Sequence, residues 1–185
     1  MAQPRCLILI RHGEKPAHGD GGVDEDGTPD DHGLTPRGWQ RAGALAAVCG
    51  RAAADPGLAL PRPAALVAPA YDHGVHRSPL TLLPLARVLG LEVRSPFEAD
   101  AEPGHIADWL VALPDEIVMV CWEHSSLPGI ARAVGERASV ANATDIPGVW
   151  PDDRFDLIWR FDLDSGATAR FSIAAQQLLW GDAPA

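Results

Sequence analysis

The chain alternates short apolar runs with longer amphipathic stretches, and the first run, Cys6 to Ile10, contains no polar interruption. A run of Leu and Ile without polar alternation predicts a strand buried on both faces, which belongs in the middle of a mostly parallel sheet. It stops abruptly on Arg11, His12 and Gly13. Ligands of such sheets bind outside the carboxyl ends of the strands, so chemistry is expected at that stop. Glu14 to Gly33 is rich in Gly and Asp and too poor in apolar residues to pack as an element. It reads as a long loop bordering a pocket mouth. Leu34-Thr35-Pro36-Arg37-Gly38 then opens a helix, with Thr35 as N-cap and Pro36 at the first helical position, where its missing donor costs nothing. Trp39, Ala42, Ala46 and Cys49 recur at helical spacing and supply its packing face.

After a Pro- and Ala-rich connection over Ala52 to Pro63, Ala64 to Ala68 reads as a second short strand ending at Pro69. A second cationic cluster, His73, His76 and Arg77, follows it directly, and Ser78 with Pro79 marks the start of a helix through about Leu89. Arg77 is thereby placed near a helix N-terminus, where backbone donors favour anions. Leu91 to Ser95 reads as a third strand, and Pro103 to Leu113 as a helix whose Ile106, Trp109, Leu110 and Leu113 share a face. Glu116 to Trp122 is a fourth buried strand that ends, like the first, on a polar cluster, Glu123-His124-Ser125. Pro128 to Val134 makes a short helix and Ala138 to Pro151 is irregular. Phe155 to Leu163 and Thr168 to Ala174 alternate as strands around Asp164-Ser165-Gly166, a hairpin at the sheet edge. The expected fold is α/β, a three-layer α/β/α arrangement with a mostly parallel central sheet and an antiparallel edge hairpin, in one domain over residues 1–185.

Composition narrows the partners. A hydrophobic fraction of 46% with 22% charged residues argues against disorder and coiled coils. The net charge of −10 repels nucleic acid and anionic membranes, so any phosphate in play should be small and held by a local cationic pocket. Neither a signal peptide nor a membrane-spanning run is expected, which points to a soluble, cytoplasmic protein. Cys6, Cys49 and Cys121 are odd in number, and two lie in strand-like runs, so buried thiols are expected in place of a disulfide framework. The sequon at Asn142 is then idle. Around Asp24, Asp26 and Gly27 an EF-hand register would put Gly22 at the first ligand position and Gly33 where the closing Glu belongs, so it fails. His18 and His32 lack the spacing of a structural zinc site. No metal and no cofactor are expected.

Four motifs, in order along most of the chain, carry a family resemblance. Arg11-His12-Gly13, the Leu34 to Gly38 segment, Arg77 with Thr81, and His124 are similar to the signature positions of the histidine phosphatase superfamily, also called phosphoglycerate-mutase-like. By that resemblance His12 is the phosphate-accepting nucleophile, while Arg11, Arg77 and His124 surround the phosphoryl group. Trp122-Glu123-His124 and the Trp150 to Trp159 tract suggest a small bacterial and fungal-type branch whose substrates the resemblance does not settle. Many relatives take the leaving-group proton from a carboxyl after the second arginine, which makes Glu98, Asp100 and Glu102 the candidates here. Another branch uses a His-Asp pair, but Ser125 follows His124, so that arrangement is absent. Strand alternation should point Glu123 away from His124 and give it a structural pairing role.

The residues support the same chemistry in their own right. Phosphoryl transfer needs little beyond an aligned nucleophile and positive charge around three equatorial oxygens. A neutral imidazole is nucleophilic near pH 7, and the Gly13 carbonyl is available to fix its tautomer. Arginine binds phosphate oxygens bidentately and stays charged. A carboxylic acid acting as proton donor needs a raised pKa. The expected activity is metal-independent hydrolysis of a small phosphate monoester, a small phosphorylated metabolite being the partner, without nucleic acid or membrane. The alternative is a non-catalytic or vestigial phospholigand-binding domain. A phosphoglycerate-mutase-type phosphotransferase is third, because a bisphosphorylated substrate demands extra cationic contacts and the 15 Lys and Arg show no additional cluster for them.

Overall fold

The computed structural model describes residues 4–17, 21–55, 58–70, 76–163 and 168–185. Its strands are β1 (Cys6–Arg11), β2 (Ala65–Val67), β3 (Val93–Arg94), β4 (Ile117–Trp122), β5 (Leu157–Asp162) and β6 (Arg170–Ala175). They form one sheet in the order β3-β2-β4-β1-β5-β6. The first four of these are mutually parallel, and β5 and β6 close the sheet as an antiparallel hairpin. The helices are α1 (Pro36–Cys49), α2 (Arg77–Leu89), α3 (Pro103–Val111) and α4 (Leu127–Arg137), with a short 3₁₀ turn over Ala143–Asp145. This is the expected mixed α/β architecture, with β1 in the interior of the sheet.

The apolar run of β1 serves both faces because successive side chains point to opposite sides. Leu7 and Leu9 join Val118, Val120 and Trp122 of β4 in one core with Ile106, Leu110 and Ile130 of α3 and α4. Cys6, Ile8 and Ile10 join Met119 and Cys121 in the other, with Leu45, Cys49, Leu82 and Leu85 of α1 and α2. The three cysteines are free and buried, and burial pushes each thiol up to about 12. At the start of α1 the Thr35 hydroxyl accepts from the Gly38 N–H at 3.1 Å, the capping read from the sequence.

Several elements depart from expectation in extent or environment. Both faces of β5 are buried from Leu157 to Phe161, because the strand lies between β1 and β6 and both layers reach it. Arg160 is accommodated there by donating from Nε to Asp162 at 2.9 Å. The edge strand β3 is reduced to two residues, and α4 runs from Leu127 to Arg137, longer at both ends than expected. Asn142 is a structural residue: its side-chain carbonyl and amide pair with the N–H and C=O of Phe171 on β6, each at 2.9 Å. The Asp164-Ser165-Gly166 turn, His18 and His73 lie outside the described residues. Among the described residues, no helix is long and apolar enough to cross a membrane.

Candidate active site

The parallel register of β1 and β4 pairs Arg11 with Trp122, and the His12 N–H donates to the Trp122 carbonyl at 3.2 Å. The two polar clusters that end these strands therefore meet at the carboxyl end of the parallel strands, where the fold rule looks for ligands. Directly after β1 the chain turns against two other motifs. Gly13 N–H donates to the Thr81 hydroxyl at 2.8 Å, and that hydroxyl donates to the carbonyl of Arg77, the first residue of α2. Glu14 C=O accepts from the N–H of Thr35 at 2.9 Å. Glycine is required on both sides of this contact. A Cβ on Gly13 would lie 2.9 Å from the Gly38 carbonyl oxygen, and one on Gly38 would lie 2.6 Å from that of Glu14.

His12 is buried, with Nδ1 2.7 Å from the Gly13 carbonyl oxygen. A carbonyl only accepts, so Nδ1 carries the hydrogen and the lone pair resides on Nε2. Burial drives its pKa down to about 3; the Gly13 hydrogen bond opposes this, while the charges of Arg11, Arg77 and Lys15 reinforce it. The ring is neutral throughout the ordinary pH range, the form a nucleophile requires.

Arg11 is fully buried, its guanidinium carbon 3.8 Å from the centroid of the Phe155 ring. Its Nη1 donates to the carbonyls of Asp152 at 2.6 Å and Arg154 at 3.3 Å, and its buried Nε has no partner among the described residues. Burial lowers its pKa to about 10, which leaves it charged. Arg77 reaches across to the loop after β1, donating from Nε to Gly33 C=O at 3.2 Å and from Nη2 to Asp31 C=O at 2.9 Å. Burial also lowers the pKa of Arg77. His124 holds the Asp152 carboxylate through Nε2 at 3.1 Å, and its Nδ1 is a buried polar atom without a partner among the described residues. Its pKa is lowered by burial and by Arg11.

Glu123 accepts from the Ser125 hydroxyl at 3.4 Å and acts electrostatically on both Arg77 and His124, so it is closer to the site than strand alternation implied. Strand geometry ends at Trp122, which releases Glu123 from the alternation. The three expected proton donors fare differently. Glu102 caps α3 by accepting from the His105 N–H at 3.0 Å, while Glu98 and Asp100 are exposed, and none of the three lines the cavity at Asp152, the partner of His124, whose walls do not themselves include His12, Arg11, Arg77 or His124.

That cavity measures about 1380 Å³, and its walls include Glu14, Lys15, Asp31, Arg37, Asp152 and Phe155. The loop after β1 does border the pocket, and it is tied down: Val23 bridges to Pro29 and Leu34, and the Trp39 indole N–H donates to the Val23 carbonyl at 3.1 Å. His76 pairs with Asp30 at 2.9 Å, and the His32 N–H donates to the same carboxylate at 2.9 Å. Among the described residues no group of three or more His, Cys, Asp or Glu side chains is arranged to hold a metal ion. Sequence reasoning missed Lys15, Asp152 and Phe155. Lys15 was legible in its place just after the Arg-His-Gly stop; Asp152 and Phe155 sit within the Trp150 to Trp159 tract, which is irregular up to the start of β5 at Leu157 and gave neither residue a role.

No protein-family model matches the chain, and no curated protein matches its sequence. Solved structures do match. SixA of Agrobacterium tumefaciens superposes with a TM-score of 0.56 at 16% identity, over 93% of this chain and 99% of that one. A mycobacterial glucosyl-3-phosphoglycerate phosphatase in complex with VO3 gives 0.56 at 13% identity, over 95% and 100%. A phosphoserine phosphatase of Entamoeba histolytica in complex with phosphoserine gives 0.53 at 15% identity, over 94% and 98%. The fold of this chain is that of the histidine phosphatases, as the motif resemblance implied.

Proposed function

We propose that this chain is a phosphatase that hydrolyses small phosphate monoesters through a phosphohistidine on His12, with Arg11, Arg77 and His124 around the phosphoryl group. One observation carries the reading: a buried, neutral imidazole whose tautomer is set by Gly13 stands at a strand end amid the charges of Arg11, Arg77 and Lys15. Nε2 attacks phosphorus in line, and the guanidinium groups stabilise the charge that spreads over the equatorial oxygens. The phosphatases that share the fold support hydrolysis, and the scheme calls for no metal. Phosphate release from a panel of small monoesters, with a divalent-metal chelator present, tests it. Release is expected, and complete dependence on an added divalent ion overturns the metal-independent mechanism.

A second reading, a domain that binds phosphate groups without turning them over, is favoured by the placement of Glu98, Asp100 and Glu102, since none of these carboxyls faces the cavity. Tight phosphate binding without release from any monoester would establish it.

A further inference from the structure

The scheme above lacks a proton donor for the leaving oxygen: of the three carboxyls after the second arginine, Glu102 is engaged as a helix cap, and neither Glu98 nor Asp100 lines the cavity that Asp152 lines. We propose that Asp152 is the general acid and base of this site. The inference rests on the phosphatase reading and adds to it the residue that handles the proton.

Three features place the Asp152 carboxyl. It lies 3.1 Å from His124 Nε2, so the His-Asp pair that Ser125 rules out along the chain is rebuilt in space from a different loop. The backbone of the same residue is gripped by the Arg11 guanidinium at 2.6 Å, which ties the carboxyl to the phosphoryl-binding arginine. It also lines the cavity, and its side chain is 90% exposed, so it can meet a leaving group lying there. The turn that carries it is held from behind: buried Trp150 donates from its indole N–H to the Arg154 carbonyl at 2.8 Å, and the Arg154 N–H donates to Pro151 C=O at 3.1 Å. The backbone of the turn is thereby fixed, and among the described residues the carboxyl itself is held by His124 alone.

In the first step the lone pair of His12 Nε2 forms the N–P bond, and the P–O bond to the leaving group breaks with its electron pair on oxygen. That oxygen takes the proton of the Asp152 carboxyl and departs as an alcohol. In the second step the Asp152 carboxylate takes a proton from water as its oxygen attacks phosphorus, and the N–P electron pair returns to Nε2. Asp152 is then protonated again and inorganic phosphate is released. His124 keeps its hydrogen bond to Asp152 throughout.

The test compares leaving groups that need a proton with one that does not. Glycerol 2-phosphate expels an alkoxide and depends on an acid, whereas 4-nitrophenyl phosphate expels a phenolate that is stable in water. Asp152→Asn is expected to lose about a hundredfold or more in kcat/KM on the glycerol ester and to keep most of its kcat/KM on the nitrophenyl ester, while kcat falls on both because the water-activating base of the second step is shared. Asp152→Glu, which restores a carboxyl, is expected to recover part of the loss, and Asp152→Ala supplies the same comparison if the Asn variant does not fold. Equal losses of kcat/KM on both esters, or no loss on either, overturn the assignment. An alkyl-selective loss in Glu98→Gln or Asp100→Asn that is missing from Asp152→Asn does the same. A wild-type chain that turns over neither ester removes the phosphatase reading, and this inference with it.

Discussion

The backbone N–H of Gly13 is held by the hydroxyl of Thr81 at 2.8 Å, so the turn that presents His12 hangs on a side chain from the second turn of α2. Thr81 is buried, and its own hydrogen goes to the Arg77 carbonyl at 2.7 Å, which ties the His12 turn and the helix that begins at Arg77 together.

Thr81→Val keeps the shape and removes the acceptor, leaving a buried N–H unsatisfied. The expected cost is about 1–3 kcal/mol in urea denaturation. Because the turn carries His12, kcat should fall further than stability alone explains, by up to about a hundredfold. Thr81→Ser should retain most of both.

Rapid quench and mass mapping address the nucleophile. His12→Ala is expected to abolish turnover and the acid-labile, alkali-stable phosphoenzyme together, whereas His124→Ala slows turnover and still permits labelling. Phosphate on His124, or undiminished labelling in folded His12→Ala, would reverse the two roles.

Stability should also report His12. Its pKa of about 3 lies below the ordinary 6.5 because burial disfavours the imidazolium. Above pH 6.5 neither folded nor unfolded chain binds this proton. As pH falls from there toward 3, the unfolded chain takes it and the folded one does not, so stability falls by up to about 1.4 kcal/mol per pH unit. Denaturation of wild type and His12→Gln across this window should show the shallower decline in the variant. Parallel declines would mean that the folded ring accepts a proton.

Arg41 is buried between two carboxylates, 2.7 Å from Glu14 and 2.8 Å from Asp182. Burial alone would raise the pKa of Asp182, but the Arg41 hydrogen bond and the N–H groups of Leu178 and Leu179 hold it down at about 2. Asp182→Ala leaves the arginine half-compensated and two donors unmet, an expected loss of about 3–5 kcal/mol by thermal or chemical denaturation. Glu14 follows Gly13, so activity is expected to fall as well. A variant as stable as wild type would show that Glu14 alone suffices for Arg41.

The apolar runs at Cys6 to Ile10 and Ile117 to Trp122, with the capped helix start at Thr35 and Pro36, determined by themselves that this is a mixed α/β fold with polar clusters at two strand ends. These are local patterns, and burial and capping act over a few residues. The glycines of the first two motifs were legible as residues but not as partners. Only the packed backbone shows Gly13 and Gly38 at a separation that excludes a Cβ on either. Thr81 beneath the His12 turn, Arg41 between Glu14 and Asp182, and Asp152 beside His124 were decided by tertiary structure. Each joins residues from separate parts of the chain, and no local spacing records which loop carbonyl or carboxylate will stand opposite a buried cation.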